Sequence, residues 1–153
     1  MNYWLMKSEP DVFGIDDLKS RPNKTEPWDG IRNYQARNMI RDEMKKGDLA
    51  FFYHSNAKEI GIVGIMKIVK AGYPDHTAFD PTGKYFDPKS NPDNPRWYMV
   101  DVKFVRKFKR VITLDELKQH ADALGDMATL RKGNRLSINP VTEDQWNYIL
   151  GLE

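Results

Sequence analysis

Asp48-Leu49-Ala50-Phe51-Phe52-Tyr53 and Ile60-Gly61-Ile62-Val63-Gly64-Ile65-Met66-Lys67-Ile68-Val69 decide how this chain folds. The first run is apolar at odd and even positions alike. Side chains alternate between the faces of a strand, so such a run predicts a strand covered on both sides. The polar turn His54-Ser55-Asn56-Ala57-Lys58-Glu59 joins it to the second, longer strand. Glycines inside that second strand suit one that bends or meets another backbone closely, as in a barrel.

Working outward, Asn2 to Lys7 reads as a strand of aromatic and large apolar residues, ended by Ser8-Glu9-Pro10 because Pro10 cannot donate to a ladder. Trp97 to Phe108 alternates. It assigns Tyr98, Val100, Val102, Phe104 and Phe108 to the core face, and Met99, Asp101, Lys103, Val105 and Lys107 to the other. Arg135 to Ile138 is a short strand. Helices are predicted at Gly14–Lys19, at Asn33–Met44 with Tyr34, Met39, Ile40 and Met44 inward, and from the capping residues Thr113 and Thr142. Arg21 to Pro27 reads as a polar loop. Tyr73 to Arg96 holds five prolines yet also Tyr73, Phe79, Tyr85 and Phe86, so it is taken as an ordered loop over a site. Together these elements predict a mixed α/β fold: a small, partly closed β-barrel of five or six strands with peripheral helices.

At 153 residues the chain fits one domain with a sizeable core. No apolar run approaches the roughly 20 residues a membrane helix needs. The start has no basic region ahead of an apolar one, so no secretion signal is expected. Cysteine is absent, which excludes disulfides, a thiolate metal site and a cysteine nucleophile, and fits a cytoplasmic setting. Net charge is +2, which permits nucleic-acid binding without requiring it; clustered charge is the better signature.

Catalytic signatures are thin. There is no G-x-S-x-G, and His54, His76 and His120 make no metal-type pair. Gly61-Ile62-Val63-Gly64 lacks the Lys-Ser/Thr of a phosphate loop.

The densest mixture of side-chain chemistry is Pro27-Trp28-Asp29-Gly30-Ile31-Arg32-Asn33-Tyr34-Gln35-Ala36-Arg37-Asn38. Here Trp28 reads as a pocket wall, Gly30 as a turn and Asn33 as a helix cap; a core tryptophan followed by an ordinary amphipathic helix is an equal alternative from this stretch alone. Stacking a base on indoles such as Trp28 and Trp97 contributes about 1–3 kcal/mol. Ser8, Glu9, Asp29, Ser55 and Asn56 sit at strand ends, where a barrel mouth would let them read a base edge. Arg106-Lys107-Phe108-Lys109-Arg110 and Arg131-Lys132-Gly133-Asn134-Arg135 are basic runs. Their Arg106, Lys107, Arg110 and Arg131 are candidate phosphate contacts, and solvated strand ends are the plainer reading.

These residues also carry a resemblance. Tyr3-Trp4-Leu5-Met6-Lys7-Ser8-Glu9-Pro10, Trp28 to Asn38, Phe51-Phe52-Tyr53-His54-Ser55-Asn56 with Gly61-Ile62-Val63-Gly64, Tyr73-Pro74-Asp75-His76-Thr77, Asp93-Asn94-Pro95-Arg96-Trp97 and Arg135-Leu136-Ser137-Ile138 resemble the EVE domain along nearly the whole chain. The resemblance implies a PUA-like β-barrel, similar to the YTH domain that cages N6-methyladenine of RNA. It implies a non-enzymatic reader of DNA or RNA with modified bases, with no cofactor, metal or membrane, in a bacterial, domain-only version. On this carry-over Trp28 takes a cage position, and Lys7, Ser8 and Glu9 replace a Lys-Ser-Asn. A carboxylate at position 9 accepts but cannot donate, which favours a cytosine-type amino edge over adenine. Asn33, Tyr53, Ser55, Asn56 and Trp97 complete the base-binding set, and the Tyr73–Trp97 loop supplies another wall.

Two further readings stand beside this one. The first is an enzyme on a small nucleotide-like molecule, with Glu9, Asp29 or His54 as base. The second is a protein-interaction module built on Trp97 and the long loop.

Overall fold

The computed structural model describes every residue from Met1 to Glu153. A single six-stranded sheet organises them. Its strands are β1 (Tyr3–Ser8), β2 (Thr25–Trp28), β3 (Leu49–His54), β4 (Gly61–Pro74), β5 (Tyr98–Thr113) and β6 (Ile138–Val141), in the spatial order β2-β5-β4-β3-β1-β6. All neighbours are antiparallel except β1 and β3. A parallel pair needs a crossover. The chain from Glu9 to Asp48 supplies it, carrying α1 (Pro10–Phe13), α2 (Ile15–Ser20), β2 and α3 (Tyr34–Asn38), which continues as a π-helical turn through Glu43. Helices α4 (Leu114–Gln119), α5 (Ala121–Leu124) and α6 (Glu143–Leu150) cover the far side.

β3 is covered on both faces, as its sequence requires. Ala50 and Phe52 enter one apolar cluster with Trp4, Met6, Val100, Val102 and the inner residues of α2 and α3. Phe51 and Tyr53 enter a second, where Phe51 stacks on Trp146 of α6 at 3.8 Å. The glycines of β4 show the expected close approach. A Cβ on Gly64 would lie 2.3 Å from the Ile15 side chain and 2.4 Å from the Arg106 carbonyl oxygen.

The mixed α/β fold is as expected, but the barrel is not closed. β2 and β6 are the two edges and share no ladder. The sheet still curls far enough that the ends of β1 and β2 and the lead-in to β6 line one cleft. No helix is long and apolar enough to cross a membrane.

Four local readings need correction. Arg21 to Pro27 is not all loop, because Thr25–Trp28 pairs with β5. Its polar Thr-Glu-Pro hides a strand that tolerates proline because it lies on an edge. Phe108 leaves the face of Phe104. β5 sets Phe104 opposite Met66 and Arg106 opposite Ile65, so Val105 is an extra residue. One bulged residue exchanges the faces beyond it, and Phe108 packs in the second cluster. Tyr34 lies outside the apolar face of its helix and is 51% exposed. The last strand begins at Ile138, where it was expected to end.

Gly64→Ala forces Cβ against a backbone carbonyl, an overpacking that costs about 1–3 kcal/mol. Urea denaturation is expected to show a lowered midpoint with unchanged slope.

Candidate functional site

The cleft at the seam of the open sheet has a volume of about 400 Å³, within the range of small-molecule sites. Each edge brings a different chemistry. The end of β1 contributes Lys7 and Ser8, the following turn Glu9, and the residue before β6 Ser137. The Lys7 N–H donates to the Ser137 carbonyl at 2.8 Å, which joins the two lining segments. The end of β2 contributes Glu26, Pro27 and Trp28, followed by Asp29, Gly30 and Ile31.

Trp28 is only 7% exposed. Phe13 and Phe52 meet it nearly edge to face, at 6.3 and 5.4 Å between centroids. It is a fixed wall that shows the cleft a narrow strip of indole. Gly30 turns the chain with φ +78°, in the left-handed region that glycine enters freely. The Tyr85 ring lies against it, 2.6 Å from where a Cβ would be. Tyr85 and Lys84 are the cleft-lining residues of the long loop.

A buried ion pair positions that loop. Asp75 is fully buried, and its Oδ2 accepts from the Gly30 N–H at 2.9 Å and from Arg32 Nη1 at 3.0 Å. Its Oδ1 accepts from the Thr77 N–H and hydroxyl at 2.8 and 2.5 Å. Burial alone would raise the Asp75 carboxyl, but these hydrogen bonds outweigh it and hold the group below the usual carboxylate range. Arg32 spends all five N–H groups: on Asp75, on the Ile31 carbonyl, on Thr77, and twice on the Tyr85 carbonyl at 3.1 and 2.7 Å.

Hydrogen bonding also sets what the polar rim can read. The Ser8 hydroxyl donates to the Phe13 carbonyl at 2.6 Å, so toward a ligand it can only accept. Glu9 is exposed and accepts from the Asn56 amide at 3.3 Å. Asp29 stands at the rim, where crowding by the cleft walls, then Asp75 and Glu26, pushes its carboxyl up. Burial pushes the Lys7 ammonium down.

Of the residues singled out in the sequence, the structure brings Lys7, Ser8, Glu9, Trp28 and Asp29 to the cleft. It does not bring the others there. Tyr53 lies beneath Lys7, whose Nζ is 5.7 Å from the ring centroid. The Ser55 N–H donates to the Ser8 carbonyl at 3.0 Å, so Ser55 and Asn56 hold the Ser8-Glu9 segment from behind. Asn33 caps α3, as read, by accepting from the Ala36 N–H. Trp97 is buried against Tyr34 and donates to Asp87 at 2.6 Å, pinning the base of the loop. The four candidate phosphate contacts lie away from the cleft, each on a carboxylate: Arg106 on Glu153, Lys107 on Asp16, Arg110 on Glu116 and Arg131 on Asp126. His54 also lies outside, and its Nε2 accepts from the Ile15 N–H at 3.1 Å, so the lone pair a base would need is in use. No three His, Asp or Glu side chains converge as metal ligands.

This open mixed α/β sheet with flanking helices is a PUA-like fold. The EVE domain family model matches residues 2–152, and the chain belongs to that family. Mouse thymocyte nuclear protein 1 is 52% identical over 99% of this chain and 74% of its own length. The crystal structure of human THYN1 in complex with 5-methylcytosine-containing DNA superposes with a TM-score of 0.93, at 50% identity, covering 99% of this chain and 97% of that one. The Mmi1 YTH domain, solved as a complex with RNA, superposes at a TM-score of 0.56 and 12% identity over 99% of this chain and 76% of its own, a likeness of fold.

Asp75→Asn replaces an acceptor by a donor amid donors and leaves Arg32 without its charge partner. The expected loss is about 3 kcal/mol at neutral pH. Because the Asp75 carboxyl is depressed in the fold, its contribution is present above the unfolded value, near 3.9, and is lost as pH falls through the lower folded value. Urea midpoints of the two proteins should therefore converge on acidification below about pH 4.

Proposed function

We propose that this chain is a non-catalytic reader of DNA that takes an extruded, modified cytosine into the cleft walled by Trp28 and Tyr85. The observation that carries the reading is the pairing of aromatic wall with hydrogen-bond acceptors at one mouth. Ser8 Oγ, Glu9 and Asp29 suit the exocyclic amino group of cytosine, and the Lys7 ammonium suits its carbonyl oxygen. The relative crystallised with 5-methylcytosine-containing DNA supports the same class of ligand.

Magnitudes set what such a site can achieve. Extruding a base costs a few kcal/mol, and stacking returns about 1–3 kcal/mol per base. Hydrogen bonds to the base edge must supply the rest. A methyl group adds about 0.8 kcal/mol of apolar burial, a preference of about fourfold. Discrimination is graded, and a hydroxymethyl group is tolerated where the wall leaves room.

The test is equilibrium binding of oligonucleotides carrying cytosine, 5-methylcytosine, 5-hydroxymethylcytosine or N6-methyladenine, as DNA and as RNA. Trp28→Ala is a poor probe, because a buried indole removed from between Phe13 and Phe52 costs about 3–5 kcal/mol of stability. Tyr85→Ala and Glu9→Gln are better placed. Tyr85→Ala is expected to lower affinity for the preferred modified DNA about tenfold, and Glu9→Gln to narrow its preference over N6-methyladenine. Equal binding of all four bases, unaltered in Tyr85→Ala, would refute the reading. Preference for RNA would redirect it, and turnover of the oligonucleotide would make the chain an enzyme.

A further inference from the structure

Arg106, Lys107, Arg110 and Arg131 are each held by a carboxylate. Three lysines without an ion pair gather on another face. Lys19 on α2, Lys24 just before β2 and Lys103 on β5 line one shallow depression together with Arg21 and Phe104. None of the three lysines has a carboxylate within ion-pair distance. Lys19 and Lys24 share a single ring: their Nζ atoms lie 5.8 and 5.7 Å from the Phe104 centroid. The ring quadrupole attracts both ammonium groups. Lys24 is held there by a backbone with φ +52°, in the left-handed region where a lysine is uncommon. An anion spanning these side chains would relieve their mutual repulsion.

Arg21 links the depression to the cleft. Arg21 lies over the Phe13 ring at 5.2 Å and binds Glu26 at 2.7 Å, and both Phe13 and Glu26 line the cleft. Lys103 stands opposite Thr25, three residues before Trp28 on the same strand. That separation is about 10 Å along the strand, a short step for a nucleic-acid backbone.

We propose that Lys19, Lys24 and Lys103 form the phosphate track that holds the DNA backbone flanking the extruded base, on the β2 side of the cleft. This rests on the base-reading function proposed above. The track contributes affinity that is blind to modification, while the cleft contributes the preference.

The test combines Lys19→Gln, Lys24→Gln and Lys103→Gln in one protein. Binding of methylated and unmethylated duplexes is followed over a salt series, beside wild type and the control Lys118→Gln on α4. Lys19, Lys24 and Lys118 are exposed and Lys103 is half-buried, and the urea midpoint confirms that folding is intact. The triple variant is expected to lose about 2 to 3 from the slope of log affinity against log salt. It should weaken on both duplexes alike, with their affinity ratio kept, while Lys118→Gln retains the wild-type slope. A triple variant with the wild-type slope overturns the track and leaves the base-reading function standing. Loss of the affinity ratio at constant slope overturns it too, since the lysines would then be serving the cleft. If wild type binds neither duplex, both proposals fall.

Discussion

The Arg32–Asp75 pair is the constraint on which the site depends. A fully buried carboxylate and a guanidinium with every N–H committed leave neither partner a free alternative. Through them the Gly30 turn after β2 is tied to a loop more than forty residues away in the chain. That loop in turn lays Tyr85 against Gly30 and into the cleft. The pair fixes a shape more than it adds stability: its desolvation offsets much of the attraction, and the gain lies in holding one loop conformation. A lysine at position 32 would offer three donors without the planar fork, so the exchange would not be conservative.

The cleft divides its labour between strands and turns. Its rings are held by packing on the sheet, and Trp28 gives up most of its surface to Phe13 and Phe52 in return for rigidity. Its polar groups come from strand ends and the turns just past them, where the parallel β1–β3 pair sets Ser8-Glu9 beside Ser55-Asn56. Enclosure moves the Lys7 ammonium and the Asp29 carboxyl both toward their neutral forms. An incoming polar edge therefore meets groups that hold their charge less firmly than in water, where a new hydrogen bond is worth more.

Much of this was legible in the sequence, and the illegible part has physical causes. The doubly apolar β3, the close approach at Gly64, the Asn33 and Thr142 caps and the position of Trp28 all follow from local pattern. The end of β1 was readable as a strand end at the mouth of the sheet, because Ser8 and Glu9 precede a proline that must leave it, and both line the cleft. Pattern failed where a tertiary partner decided the outcome. The bulge at Val105 moved Phe108 to the other cluster without any local signal. Trp97 is as good a stacking residue as Trp28 in composition, yet Tyr34 and Asp87 claim it. Nor does a sequence show which carboxylate waits opposite Arg106, Lys107, Arg110 or Arg131. Asp75 could not be singled out, since four of its bonds come from groups spread between residues 30 and 77.

The unclosed sheet has a consequence beyond the cleft. Two free edges are templates for strand addition by another copy of the chain. Both edge strands here are four residues long, and each carries a proline, Pro27 in β2 and Pro140 in β6. A proline withholds one amide from any incoming ladder, and a short strand gives it little length to grip. The seam can thus stay open for a ligand while the same backbone resists edge-to-edge aggregation.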